Sequence, residues 1–179
     1  KKSDTEAILA AVERCKEADI RASFGFIFGL PAEQEEDLLK SVDLIRQIYE
    51  RYDRADCYTN IFTPYPGSPA WQEAIDKGLV PPKTFEEWAD FYPRLQVLPW
   101  LNGKKHERLQ AIRQYLRFGY HQVKVGEQQH SWKHRALLRM LRPSAQLRLK
   151  QHRFDYPLEV YAYWGLQRMK QSLQLYERF

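Results

Sequence analysis

Gly25, Ile27 and Gly29 stand at alternate positions of one short apolar run, Phe24-Gly25-Phe26-Ile27-Phe28-Gly29, which stops at Leu30-Pro31. In an extended strand, alternation sends those three to one face and Phe24, Phe26 and Phe28 to the other. A face of glycines around one isoleucine lets backbone and a flat apolar side chain come close to a planar ligand. The same residues also suit a buried parallel strand whose glycines relieve crowding. A second run, Tyr58-Thr59-Asn60-Ile61-Phe62, ends in the same way at Thr63-Pro64-Tyr65-Pro66-Gly67-Ser68-Pro69. Both runs stop where a parallel strand would hand its carboxyl end to a loop, and ligands of α/β folds bind at such ends. Tyr58 and Asn60 share a strand face, and with Tyr65 in the loop beyond they are candidate substrate contacts. Core packing with hydrogen-bonded tips accounts for them equally well. The G-x-G-x-x-G spacing of a dinucleotide site is absent.

Other residue types that could do chemistry have duller explanations. Glu33, Glu35, Glu36 and Asp37 crowd one short stretch, as carboxylates do in the first turn of a helix, where the helix dipole favours them. Asp53 and Asp56 invite an acid/base reading without a partner to complete it. His130 and His134 are four apart and would share a helical face, but a zinc site needs further ligands, and neither a general-base Glu nor a nearby Cys accompanies them. Cys15 and Cys57 form no close pair. Cys15 falls on an apolar helical stripe and Cys57 in a predicted strand, so both read as small buried hydrophobes in a reducing, cytoplasmic setting. No catalytic residue and no metal ligand is assigned.

The elements that must position the two loops follow from periodicity. Ile8, Ala11, Val12 and Cys15 mark a first helix, with Ser3 or Asp4 as its cap. A strand follows at 21–28, then an amphipathic helix over 33–52 with Leu38, Val42, Ile45, Tyr49 and Tyr52 on one face, then a strand at 56–62. Right-handed crossover sets the two strands adjacent and parallel. From Pro64 to Asn102 prolines punctuate the chain, and short helices fit 68–77 and 85–90, the latter capped by Thr84. This stretch reads as a connector rather than a third βα unit, and Leu98-Pro99-Trp100-Leu101-Asn102-Gly103 as a boundary. Beyond it the chain is helical. One stripe is Leu109, Ile112, Leu116, Tyr120 and Val123; a break falls at Gly126-Glu127. A second helix starts near Trp132, interrupted at Pro143, and a third near Pro157 carries Leu158, Tyr161, Gly165, Met169, Leu173 and Tyr176. The units expected are therefore 1–63, 64–103 and 104–179.

Charge divides the chain sharply. Residues 1–103 hold 12 Lys and Arg against 18 Asp and Glu, whereas residues 104–179 hold 16 against 5, so a formal net charge of +5 conceals −6 and +11. Such a break suggests two units with different partners. The basic part interleaves cations with Trp132, Leu137, Leu141, Leu147, Phe154, Trp164 and Tyr176. It could lie on an anionic membrane or near a lipid-like substrate, track nucleic-acid phosphates, or present charged faces merely to solvent. No run approaches the roughly 18–20 apolar residues that cross a bilayer. The chain opens Lys1-Lys2-Ser3 without Met, which suggests a cut end.

Gly25-x-Ile27-x-Gly29-Leu30-Pro31-Ala32-Glu33 resembles the fifth-strand motif of radical S-adenosylmethionine (SAM) enzymes, often written G-F-I-F-G-L-P-G-E-T. Thr63-Pro64-Tyr65-Pro66-Gly67-Ser68-Pro69-Ala70-Trp71, with Gly78-Leu79 and Trp88, resembles the segment after the sixth strand. In this form it is typical of members that also carry a cobalamin-binding domain, a group that includes methyltransferases and tetrapyrrole cyclases. The resemblance covers roughly residues 1–100. It implies the last βα units of a partial TIM-type barrel, followed by a basic all-α region.

On that resemblance Ile27 packs on the adenine of SAM, Gly25 and Gly29-Leu30-Pro31 shape its pocket, and backbone near Phe62-Thr63 meets the adenine edge. Ala32 stands where the motif has Gly, and Gln34 where it has Thr, so the turn and its cap should differ. The family's Cys-x-x-x-Cys-x-x-Cys, which holds a four-iron cluster, does not occur here. The resemblance therefore implies a C-terminal portion whose parent uses SAM, a four-iron cluster and cobalamin. Its partners would be the missing cobalamin-binding and barrel portions of the same protein. By itself the chain is expected to bind none of these groups and to catalyse nothing. The alternative is a non-catalytic α/β and helical module that docks on a membrane or RNA through its basic tail.

Overall fold

Asp4 begins the first helix, its carboxylate accepting from the Glu6 N–H at 3.2 Å. The computed structural model describes residues 4–94, 98–101, 103–120 and 132–176. The chain divides into two units, Lys1–Leu109 and Gln110–Phe179. The first holds α1 (Thr5–Glu17), β1 (Ser23–Phe28), α2 (Glu35–Arg51), β2 (Asp56–Ile61), α3 (Pro69–Asp76) and α4 (Phe85–Arg94). Helix α5 (Gly103–Tyr120) runs from the first unit into the second, which continues with α6 (Trp132–Gln151) and α7 (Leu158–Tyr176).

β1 and β2 pair in parallel, with Gly25 opposite Tyr58 and Ile27 opposite Asn60, and α2 makes the crossover. One face of this ribbon is covered. Val12 of α1, Leu44, Ile48 and Tyr52 of the α2 region and Ala55 form an apolar cluster, against which Phe24, Phe26, Cys15 and Cys57 pack. The three phenylalanines thus lie on the helix side, and Phe28 is wholly buried. The apolar side of α2 is wider than one stripe, because Leu44 and Ile48 are buried as well as Leu38, Val42 and Ile45. Tyr49 ties this helix to the sheet, its hydroxyl accepting from the Cys57 N–H at 3.0 Å.

The connector holds α3 and α4 and no strand among its described residues. Ser68 caps α3. Thr84 and Glu87 form a reciprocal capping box at the start of α4, Thr84 Oγ1 accepting from the Glu87 N–H and Glu87 Oε2 from the Thr84 N–H. Trp71, Trp88 and Phe91 then pack ring on ring, with centroids 5.4–6.1 Å apart.

In the second unit, Ile112, Leu116 and Tyr120 are buried as their spacing predicts, joined by Tyr115 and Phe118. Two expectations need correction. α6 is continuous through Pro143. The proline removes one backbone donor, but tertiary contacts hold the helix around it: Arg142 Nε and Gln146 Nε2 both donate to the Gly119 carbonyl, and Ala145 and Leu149 are buried. The α7 stripe faces the other way. Leu158, Tyr161 and Met169 are exposed, while Val160 and Tyr163 are buried. Of the aromatics interleaved with the cations of the basic part, Phe154 is core at 1% exposure and Trp164 is half-buried. Val123, the Gly126-Glu127 break, His130 and the side chains of Trp132, His134, Leu173 and Tyr176 lie outside the described residues.

Glu159 organises this unit. Its carboxylate accepts from Tyr115 Oη (3.0 Å), Ser144 Oγ (2.6 Å) and Arg148 Nε (3.0 Å). Arg148 reaches on to the carbonyls of Arg153 and Asp155 after α6, and its guanidinium lies over the Tyr115 ring. Burial pushes the Glu159 pKa upward, but the hydrogen bonds outweigh it and hold the carboxyl at about 2.

Candidate functional site

The second face of the β ribbon is open. Ser23, Gly25 and Ile27 of β1 and Tyr58 and Asn60 of β2 are all exposed, whereas the residues between them are half-buried or buried. Ile27 is 56% and Tyr58 48% exposed. A Cβ added to Gly25 would find no atom within 4 Å. Strand alternation and the parallel register together bring Gly25, Ile27, Tyr58 and Asn60 side by side on an uncharged, backbone-rich surface.

At the carboxyl end of β1 the chain turns at Gly29 (φ +80°). A side chain there would strain the backbone and place its Cβ 3.0 Å from the Leu101 side chain. Glu33 replaces a backbone partner in this turn, Oε2 accepting from the Gly29 N–H at 2.7 Å. Burial, against that hydrogen bond, raises the Glu33 pKa, with Asp37 and Glu35 adding to the rise. Because Gly29 supplies the left-handed residue, Ala32 needs no positive φ. Gln34, at the N-cap, does not cap the helix with its side chain and donates instead to the Ala32 carbonyl.

Trp100 holds the two loops together. Its indole N–H donates to the Gly29 carbonyl at 2.9 Å, and its ring lies 6.2 Å from that of Phe62. Phe62 prolongs the parallel ladder, its N–H donating to the Phe28 carbonyl at 2.7 Å. Sequence reading places Trp100 only in a boundary. An aromatic in an apolar, Pro-bounded tetrad signals burial, but nothing local says against what.

Beside this turn lies a cavity of about 440 Å³. Gly29, Leu30, Pro31, Trp100 and Leu101 line it. Glu35 and Arg108, paired at 2.6 Å, share its rim with Lys77 and Lys105. The structure thus divides the sequence-selected residues into neighbouring sets. Gly25, Ile27, Tyr58 and Asn60 share the open face; Gly29, Leu30 and Pro31 border the cavity. Phe62 and Thr63 are half-buried at the end of β2, and Tyr65 stands 62% exposed in the loop after them.

Among the described residues no three His, Cys, Asp or Glu side chains converge as a metal site, and no helix is long and apolar enough to cross a membrane. Cys15 and Cys57 are free, half-buried and on different elements. Burial pushes the Cys57 thiol up to about 12, which disfavours the thiolate that ligation needs.

Over 71 residues the chain is 38% identical to the tRNA-2-methylthio-N(6)-dimethylallyladenosine synthase of Rickettsia canadensis (strain McKiel). The match takes in 38% of this chain and 15% of that protein, so the chain spans a small part of the relative's length. No family model and no solved structure matches. The likeness is weak; it loosely supports a radical SAM relationship and does not reach to a cobalamin-binding type.

Proposed function

We propose that this chain is the C-terminal part of a radical SAM enzyme and forms the adenine-side wall of its SAM site. On this reading β1 and β2 are the last strands of a partial TIM-type barrel, and their open face is barrel interior. The observation that carries it is the placement of Gly25 and Ile27 on an uncovered face, at strand ends closed by the Gly29 turn. Ile27 would lie flat on the adenine, and Gly25 would admit it to backbone distance. The Phe62-Thr63 backbone would meet the ring edge, and Trp100 and Glu33 would fix the turn that shapes the pocket. Such recognition needs an apolar wall and fixed amides rather than charged side chains. Tyr58, Asn60 and Tyr65 would then face the substrate.

When bound, SAM supplies a deoxyadenosyl radical on reductive cleavage. The four-iron cluster for that chemistry does not fit this chain, because two separated, packed cysteines cannot provide three converging thiolates. The cluster would belong to the remainder of the parent, as would a cobalamin. The cobalamin assignment rests on the Thr63–Trp71 loop with Gly78-Leu79 and Trp88, and methyl transfer or ring formation are the outcomes it suggests.

Ile27→Asp in the intact parent tests the reading. A carboxylate set against the adenine face should weaken SAM binding by roughly 1–3 kcal/mol, about 5- to 150-fold in dissociation constant by equilibrium dialysis. Circular dichroism should show the fold unchanged, because Ile27 lies on the ligand-facing side of β1 and not on the side packed by α1 and α2. An unchanged dissociation constant would show that β1 is not the adenine wall.

A further inference from the structure

α6 holds six Lys or Arg and no Asp or Glu in its 20 residues. Leu138, Ala145 and Leu149 form its buried side. On the solvent side two rows run along the helix, one residue out of step. Arg135, Arg139, Arg142 and Lys150 make the first, and all are exposed. Ala136, Met140, Pro143 and Leu147 make the second, also exposed, Met140 at 78% and Leu147 at 54%. Steps of mostly three or four residues keep each row in line at 3.6 residues per turn, so a cationic edge borders an aliphatic strip. Arg148 does not join the cationic edge, because Glu159 neutralises it.

We propose that this side of α6 docks on an anionic lipid surface, independently of the SAM reading. The cation row would meet the headgroups, and Met140 and Leu147 would enter the acyl boundary. Charge complementarity points to a polyanion, since no carboxylate on the helix opposes it. The neighbouring strip selects among polyanions. Single-stranded nucleic acid is held by rings on which bases stack, whereas this strip is aliphatic, as an interfacial helix requires. The strip is short, so docking should be reversible and weakened by salt.

Sedimentation of the full chain with vesicles tests the proposal, using phosphatidylcholine alone and phosphatidylcholine with about one-third phosphatidylglycerol. Binding is expected to the anionic vesicles only and should fall at raised salt. Arg139→Gln with Lys150→Gln should weaken it about 25-fold, at about fivefold per cation. Met140→Gln with Leu147→Gln should weaken it roughly tenfold with helicity unchanged by circular dichroism. Absence of binding to anionic vesicles at low salt would overturn the proposal. So would binding indifferent to the Met140/Leu147 pair, or an RNA oligonucleotide bound more tightly than the vesicles.

Discussion

The open face of the β ribbon and the outward side of α6 both leave large apolar side chains in water, yet they are different kinds of surface. Ile27 is 56% exposed between glycines, opposite Asn60, on a face that carries no charged side chain at those four positions. Met140 is 78% exposed beside a row of arginines. Exposure alone does not separate them. Their neighbours do: backbone and flat side chains suit a planar ligand, whereas aliphatic chains edged with cations suit a broad anionic surface. The two also rest on different supports. The first is held by the Gly29 turn and Trp100, the second by the polar knot around Glu159.

Removing the first support should have the largest effect. Gly29→Val forces a β-branched residue into a left-handed conformation, costing about 1–2 kcal/mol, and drives its Cβ toward Leu101, costing about 1–3 more. Urea unfolding should show a loss of about 3 kcal/mol. Wild-type stability in this variant would mean that the turn is not fixed as the Trp100 and Glu33 hydrogen bonds imply.

The second support should fail in acid. The Glu159 carboxyl is held near 2 in the folded protein, below the ordinary carboxylate value, so it contributes stability that is present above about pH 4.5. That contribution is lost as the pH falls from about 4.5 towards 2. Glu159→Gln should lower the melting temperature at neutral pH and flatten its decline across that window. We expect a neutral-pH loss of about 2 kcal/mol, after allowing for partial solvent access. An acid limb as steep in the variant as in the wild type would place the titration elsewhere.

How much of this was legible in the sequence depended on how local each decision was. The strand pair and its crossover were readable, because alternation at Phe24–Gly29 and the apolar side of α2 are properties of the segments themselves. So was the sharing of one face by Gly25 with Ile27 and by Tyr58 with Asn60. Which face would stay open was not, because the same alternation suits a strand buried on both sides. The α7 face was not legible. That helix has apolar residues on both sides, and whether Leu158 or Val160 is buried is settled by its partners. Pro143 misled for the same reason, since Arg142, Ala145 and Gln146 sustain the helix through contacts distant in sequence. Trp100 is 71 residues from the Gly29 carbonyl it binds, a distance over which no periodicity carries information.

Gly25→Ala should have the smallest effect on stability. It lies within β1, four residues before the Gly29 turn; its backbone is not left-handed and its added Cβ meets nothing within 4 Å. Replacing glycine where alanine is tolerated narrows the unfolded ensemble, so stability should rise by about 0.5 kcal/mol in urea unfolding. The new methyl nevertheless stands on the open face beside Ile27 and opposite Tyr58. If that face receives a planar ring, the methyl holds the ring off the backbone, and SAM affinity in the parent should fall while the fold gains. Opposite signs for stability and binding are the signature of a glycine kept for close approach. A loss of more than about 1 kcal/mol in stability would instead mean that something covers this face, and the barrel-interior reading would fail with it.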